Sequence, residues 1–171
     1  MLWRESRLAY VNLLSVHELI FDVLNSGNSY FVQVLVGYDD LEDITYCLHI
    51  TLDEMIGGAG QELQFYILEY DGSAENNFNY FSAKDLALKI PSQDRVLIRA
   101  CLLRGIEELI MVDLPERVFL CTFDADAPRK ADRKFVLIAD VFEAKGYEVK
   151  TADPYYGQRV WWMNRRSTPA G

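Results

Sequence analysis

The run Phe119-Leu120-Cys121-Thr122-Phe123 leads into Asp124-Ala125-Asp126. A strand that delivers two carboxylates to its end can hold Mg²⁺ or present a nucleophilic carboxylate beside a second acid. The same pair is also an ordinary loop before a helix that starts near Pro128, where no chemistry is asked of it. Cys47 and His49 lie two apart in an alternating run, so their side chains share one strand face and could form a metal or acid/base pair. No further His or Cys stands near them, and a single His on the polar face of a strand is expected to be solvated. Glu69 and Tyr70 close another strand-like run, where a cross-strand charge and a core tyrosine account for them. Gly57-Gly58-Ala59-Gly60 has the composition of a phosphate loop, but it joins two strand-like runs and so reads as a hairpin connection. The chain has no Gly-x-Ser-x-Gly, paired-histidine or phosphate-loop lysine motif, and no hydrolase or nucleotide-binding class gains support.

These residues must be positioned by the elements around them. Ser15-Val16-His17-Glu18 has the form of a capping box, and Leu19, Ile20, Val23 and Leu24 follow at helical spacing until Ser26-Gly27, which predicts a short amphipathic helix. Residues 29–38, the alternating run 44–52 and residues 63–70 predict a three-stranded antiparallel meander. Residues 71–82 read as a long polar loop that nevertheless carries Phe78, Tyr80 and Phe81, and Ser82-Ala83-Lys84-Asp85 could cap a brief helix before Pro91. Ser92 offers an N-cap for a helix to about Val112, and Pro115 ends it. A buried strand over 117–123, a helix over 129–145 stopped by Gly146, and strands at 147–151 and 159–164 complete the order. The expectation is one domain over 1–171 with a polar tail at 165–171. Its class is α/β (α+β), a single mixed, mainly antiparallel sheet flanked by helices in the order α-β-β-β-α-β-α-β-β.

That order resembles the GNAT acyltransferase fold, most closely from about residue 92 to residue 164. Within it, Asp140-Val141-Phe142-Glu143-Ala144-Lys145-Gly146-Tyr147 is similar to the family's penultimate helix and glycine turn. The resemblance implies transfer from acetyl-CoA or another acyl-CoA. The start of the 92–112 helix (Ser92, Gln93, Arg95) would then lie against the cofactor's pyrophosphate, and Glu69 or Tyr70 would act as acid/base. Two departures bear on the chemistry. Between Tyr70 and Ser92 the only glycine is Gly72, so the family's glycine-bearing pyrophosphate loop is missing, and Asp94 puts a negative charge in the first helical turn. Where the family often carries a tyrosine as general acid, this chain has Phe142. The Asp124–Asp126 motif in turn resembles the first motif of haloacid-dehalogenase-type phosphatases, but that motif opens its domain, and only 45 residues follow Asp126.

The 26 acidic and 17 basic side chains give a net charge of -9, whose field repels phosphate backbones and anionic lipid heads and favours a basic partner. Such acidity also serves plain solubility. Cys47, Cys101 and Cys121 sit in apolar runs without metal spacing, as buried thiols in a reducing compartment would. Arg4, Glu5 and Arg7 occupy the place of a signal's apolar segment, and no run reaches membrane-spanning length, so the expected location is cytoplasmic. Strand alternation allows only one of Trp161 and Trp162 to face a core; the other needs cover. The first reading is therefore a non-enzymatic interaction or inhibitor protein of the immunity, antitoxin or anti-defence kind, without a cofactor. It would act through Asp39, Asp40, Glu42 and Asp43 together with Phe78, Tyr80, Phe81, Tyr155, Tyr156, Trp161 and Trp162. The alternative is a divergent GNAT-like N-acyltransferase using acyl-CoA. A homodimer through the last hairpin is compatible with either, provided that 160–163 forms a sheet edge.

Overall fold

The computed structural model describes residues 21–39, 44–71, 78–81, 95–122, 129–152 and 157–167. In chain order the elements are β1 (Val23–Ser26), β2 (Ser29–Asp39), β3 (Ile44–Glu54), β4 (Gln61–Asp71), β5 (Phe78–Phe81), α1 (Arg95–Asp113), β6 (Arg117–Thr122), α2 (Arg129–Ala144), β7 (Tyr147–Thr151) and β8 (Arg159–Arg165). The strands form one sheet in the order β1-β2-β3-β4-β6-β8-β7, with β5 paired to β4 off this path. All pairs are antiparallel except β4–β6. The protein is thus the mixed α/β, mainly antiparallel architecture that the patterning predicts.

The period-2 alternation of β3 decides which way the sheet faces. Ile44, Tyr46, Leu48, Ile50 and Leu52 are buried. They join Val32 and Val34 of β2, Leu63 and Ile67 of β4, and Val118 and Leu120 of β6 in one apolar cluster. Cys101, Leu102, Ile106, Leu109 and Ile110 of α1 and Phe135, Ile138 and Phe142 of α2 enter the same cluster, so both described helices lie on that face. Where α1 crosses β2 and β3 it carries Gly105, whose missing Cβ makes room for Ile50 and Val32. Among the described residues no helix packs on the opposite face.

The connection from α1 to β6 is clamped at one end of the sheet. Leu114 takes a left-handed φ of 48° and its N–H donates to Ile110 O (3.0 Å), ending the helix. Pro115 follows and its carbonyl accepts from Tyr147 Oη (2.6 Å), while the Arg165 guanidinium donates to Leu114 O (3.1 Å). Tyr147 is 1% exposed; burial, opposed by Arg165, pushes its phenol up to about 12, so it remains a hydrogen-bond donor in neutral solution.

Three expectations are corrected. Val23 and Leu24 lie in strand β1, not at the end of a helix: Gly27, at φ 65°, turns the chain tightly so that Ser26 faces Ser29 and Leu24 faces Phe31. Residues 15–20 lie outside the described residues. The polar loop after β4 contains a strand, because Phe78–Phe81 finds unpaired backbone on β4 at Ile67–Tyr70; residues 82–85 lie outside the described residues. Residues 160–163 are not a sheet edge, since β8 pairs with β6 on one side and β7 on the other. The hairpin turns β7 outward, which removes the edge on which the homodimer rested.

Candidate functional site

The sheet is divided beside β4. On its β6 side, β4 pairs in parallel only at Gln61 and Glu62, with Val118 and Phe119. The strands then part, and β5 enters the gap from the far end, pairing Phe81 with Ile67, Tyr80 with Leu68, Asn79 with Glu69 and Phe78 with Tyr70. On the helix side, Lys134 of α2 sets its ammonium 4.8 Å from the Phe65 ring centroid and 4.6 Å from that of Phe135, spanning from helix to split strand.

Glu69 and Tyr70 both border this division but point to opposite faces, as successive strand residues must. Glu69, opposite Tyr46, is buried, whereas Tyr70, opposite Thr45, is 40% exposed on the helix-free face. The two do not converge on a common reacting atom. Of the residues expected to meet a cofactor, Arg95 opens α1 and is exposed, while Ser92 and Gln93 lie outside the described residues. Asp124 and Asp126 also lie outside them, and among the described residues no cluster of three His, Cys, Asp or Glu could hold a metal ion.

The helix-free face carries an aromatic row that only the strand register reveals. His49 stacks on Phe31 of β2 (centroids 5.3 Å, interplanar angle 29°) and on Tyr66 of β4 (4.9 Å, 28°). Its Nδ1 is buried without a hydrogen-bond partner among the described residues. The histidine is therefore not the solvated group its isolation in sequence suggests. Burial lowers its pKa, partly opposed by the charge of Asp53, and the ring stays neutral. Cys47, on the same face, is half-buried and its thiol pushed up by burial, away from a reactive thiolate.

A depressed histidine has a definite linkage. The unfolded chain takes up the proton near pH 6.5 and the folded chain only at lower pH, so stability is full above about pH 6.5 and is lost as pH falls through the folded value. We expect His49→Phe, which keeps the stacking ring, to flatten the stability profile just below pH 6.5 in urea titrations. An unchanged slope would place the titration elsewhere, and His17 is the one other histidine in the chain.

Farther along the same face, Trp162 is 41% exposed and stands edge-on to Phe119 (5.2 Å, 68°). Trp161, its neighbour, is buried and stacks on Phe135 of α2 (6.3 Å, 28°). The alternation thus sends one tryptophan to each side, and the exposed one shares its face with Tyr70, Leu24 and Leu35, each at least 40% exposed. In the backbone register Phe78 pairs with Tyr70 and Tyr80 with Leu68. Asp39 ends β2, while Asp40, Glu42, Asp43, Tyr155 and Tyr156 lie outside the described residues.

No family model matches this chain. Searches of curated proteins and of solved structures likewise find no match. Among the described residues no helix is long and apolar enough to cross a membrane.

Proposed function

We propose that this chain is a non-enzymatic interaction protein that binds a basic protein partner through its helix-free face. The observation that carries the reading is the occupation of the β4 edge: β5 pairs with Ile67–Tyr70, where the acyltransferase reading needs an open cleft beside Glu69 and Tyr70. A cleft filled by the chain's own strand leaves the outward-facing side chains as the available surface. Tyr70 and Trp162 are aromatic groups of the kind that anchor interfaces, and the net charge of -9 favours a positively charged counterpart. No cofactor is required, and inhibition by occupying a partner's basic surface, as immunity or antitoxin proteins do, fits the same chemistry.

A photo-crosslinking residue placed at Tyr70 or Trp162 is expected to capture the same basic protein. One placed at Val136, exposed on α2, is expected to capture none of it. Charge reversal at Asp39, Asp40, Glu42 and Asp43 should abolish the adduct. Equal capture from position 136, or indifference to charge reversal, would overturn the proposal.

The parallel β4–β6 pair that separates after Glu62 favours the second reading, a divergent GNAT-like N-acyltransferase. Calorimetric titration with acetyl-CoA separates the two: binding at about 1 mM or tighter that survives Arg117→Gln and Arg166→Gln supports the enzyme, and its absence supports the interaction protein.

A further inference from the structure

At the end of the sheet opposite the β5-filled gap, the β3–β4 hairpin, the start of β6 and the end of β8 surround an open cavity of about 700 Å³. Among the described residues Arg117, Arg165 and Arg166 line it against one carboxylate, Glu116, in a chain whose net charge is -9. We infer that this cavity binds a small phosphorylated molecule, recognised through its phosphate groups by the guanidinium groups of Arg117 and Arg166.

The arginines are brought together by strand order. Arg117 opens β6 opposite Asn164 of β8, and Arg165 and Arg166 follow directly. Arg117 Nε donates to Asn164 Oδ1 (2.9 Å), which orients the guanidinium and leaves its two Nη groups for a ligand. Arg165 uses one nitrogen on Leu114 O. The Arg166 side chain makes no hydrogen bond or ion pair among the described residues, and no described carboxylate forms an ion pair with any of the three. Unneutralised guanidinium groups around one concavity suit phosphate, whose oxygens accept paired N–H donors.

The hairpin brings backbone into the same wall. Gly57, Gly58 and Gly60 adopt φ of 88°, 69° and 138°. A Cβ on Gly60 would stand 2.8 Å from Arg117 O and 2.9 Å from Phe119 Cε2, so only glycine lets the hairpin close against the strand that carries Arg117. The glycine run is a hairpin connection, as its place between strands predicts, and it also forms one side of the arginine cavity. Among the described residues no aromatic side chain lines the cavity, and recognition rests on phosphate and polar contacts with Asn164 and Ser167. The -9 charge disfavours a long polyanion, while a compact ligand responds mainly to charges within a screening length of about 8–10 Å.

Titration calorimetry with inorganic pyrophosphate and orthophosphate at low ionic strength tests the site. Pyrophosphate is expected to bind with Kd of about 1 mM or tighter, and to weaken about tenfold in Arg166→Gln and in Arg117→Gln. Arg166→Lys, which keeps charge but loses the planar fork, should fall between, and Arg133→Gln, exposed on α2, should leave affinity unchanged. Since the Arg166 side chain makes no described hydrogen bond or ion pair, its variants should keep the native circular dichroism. No heat at about 10 mM pyrophosphate, or equal weakening by Arg133→Gln, would overturn the inference. Tighter binding of a short single-stranded DNA through the same arginines would also overturn it, because the ligand would then be a polyanion. Arg117 stands diagonally across the β6–β8 ladder from Trp162, so independence from the crosslinking result is read on the Arg166 variants, four positions beyond Trp162.

Discussion

Gly105→Val is expected to destabilise the protein by about 3 kcal/mol or more, the upper part of the range for overpacked cores. Glycine inside a helix ordinarily costs about 1 kcal/mol relative to alanine, so its place in the middle of α1 has to be explained by packing. A Cβ there would fall onto Ile50 Cδ1, with Ile50 Cγ1 and Val32 Cγ1 at 3.7 Å, and both residues are fully buried. Val32 and Ile50 are also cross-strand partners, so neither can retreat without disturbing β2 and β3. For Gly105→Ala the gain in helix propensity offsets part of the overpacking, and a net loss of about 1 kcal/mol is expected. Ile50→Val alone should cost about 1 kcal/mol. Combined, the two should be less damaging than their sum, because the first removes the methyl that the second strikes. Urea unfolding of the four proteins measures the coupling, and an additive cycle would show that α1 does not rest on Ile50. At about 2–4 °C per kcal/mol, valine should lower Tm by roughly 6–12 °C.

The contact between Gly105 and Ile50 shows where sequence reading stops. The alternation from Ile44 to Leu52 is a local periodicity, and α1 is a long apolar run bounded by Ser92 and Pro115, so both elements can be read to within a few residues. That Gly105 meets Ile50 depends on the crossing of two elements more than fifty residues apart, and no periodicity encodes it. β5 escapes for a related reason. Its four residues are too short to show a period, and they are a strand because the β4 edge is unpaired once β6 turns away. β1 was obscured by Leu19, Ile20, Val23 and Leu24, whose spacing fits a helix, while the turn at Gly27 that pairs the segment with β2 is equally local but competes with it.

The candidate surfaces were visible in part. The adjacent tryptophans and the strand period suffice to send one inward and one outward. They do not say which, because that follows from the register of β8 on β6 and β7. His49 looked isolated since its neighbours, Phe31 and Tyr66, lie eighteen and seventeen positions away and become adjacent only when β2, β3 and β4 are paired in register. The arginine cavity had two local signs, the glycine run and the Arg165-Arg166 pair, but Arg117 joins them through the β6–β8 ladder alone. Charge clustering of this kind is a property of strand order.

The tryptophan pair carries the second large effect. Trp161→Ala is expected to cost about 3–5 kcal/mol, as truncation of a buried aromatic that packs on Phe135 should. Trp162→Ala should cost about 1 kcal/mol, because the ring is 41% exposed and gives up chiefly its edge contact with Phe119. Trp161 Nε1 is buried without an acceptor among the described residues, so Trp161→Phe loses volume but also removes a donor that, left unsatisfied, costs about 1–3 kcal/mol. Phenylalanine should therefore recover most of the stability that alanine loses, whereas at position 162 the two substitutions should differ little. Partner capture should follow the opposite order: Trp162→Ala keeps the fold and weakens binding, and Trp161→Phe keeps both. Loss of stability without loss of capture at 162 would separate the exposed ring from the interface, and the helix-free face would then have to bind through Tyr70 without it.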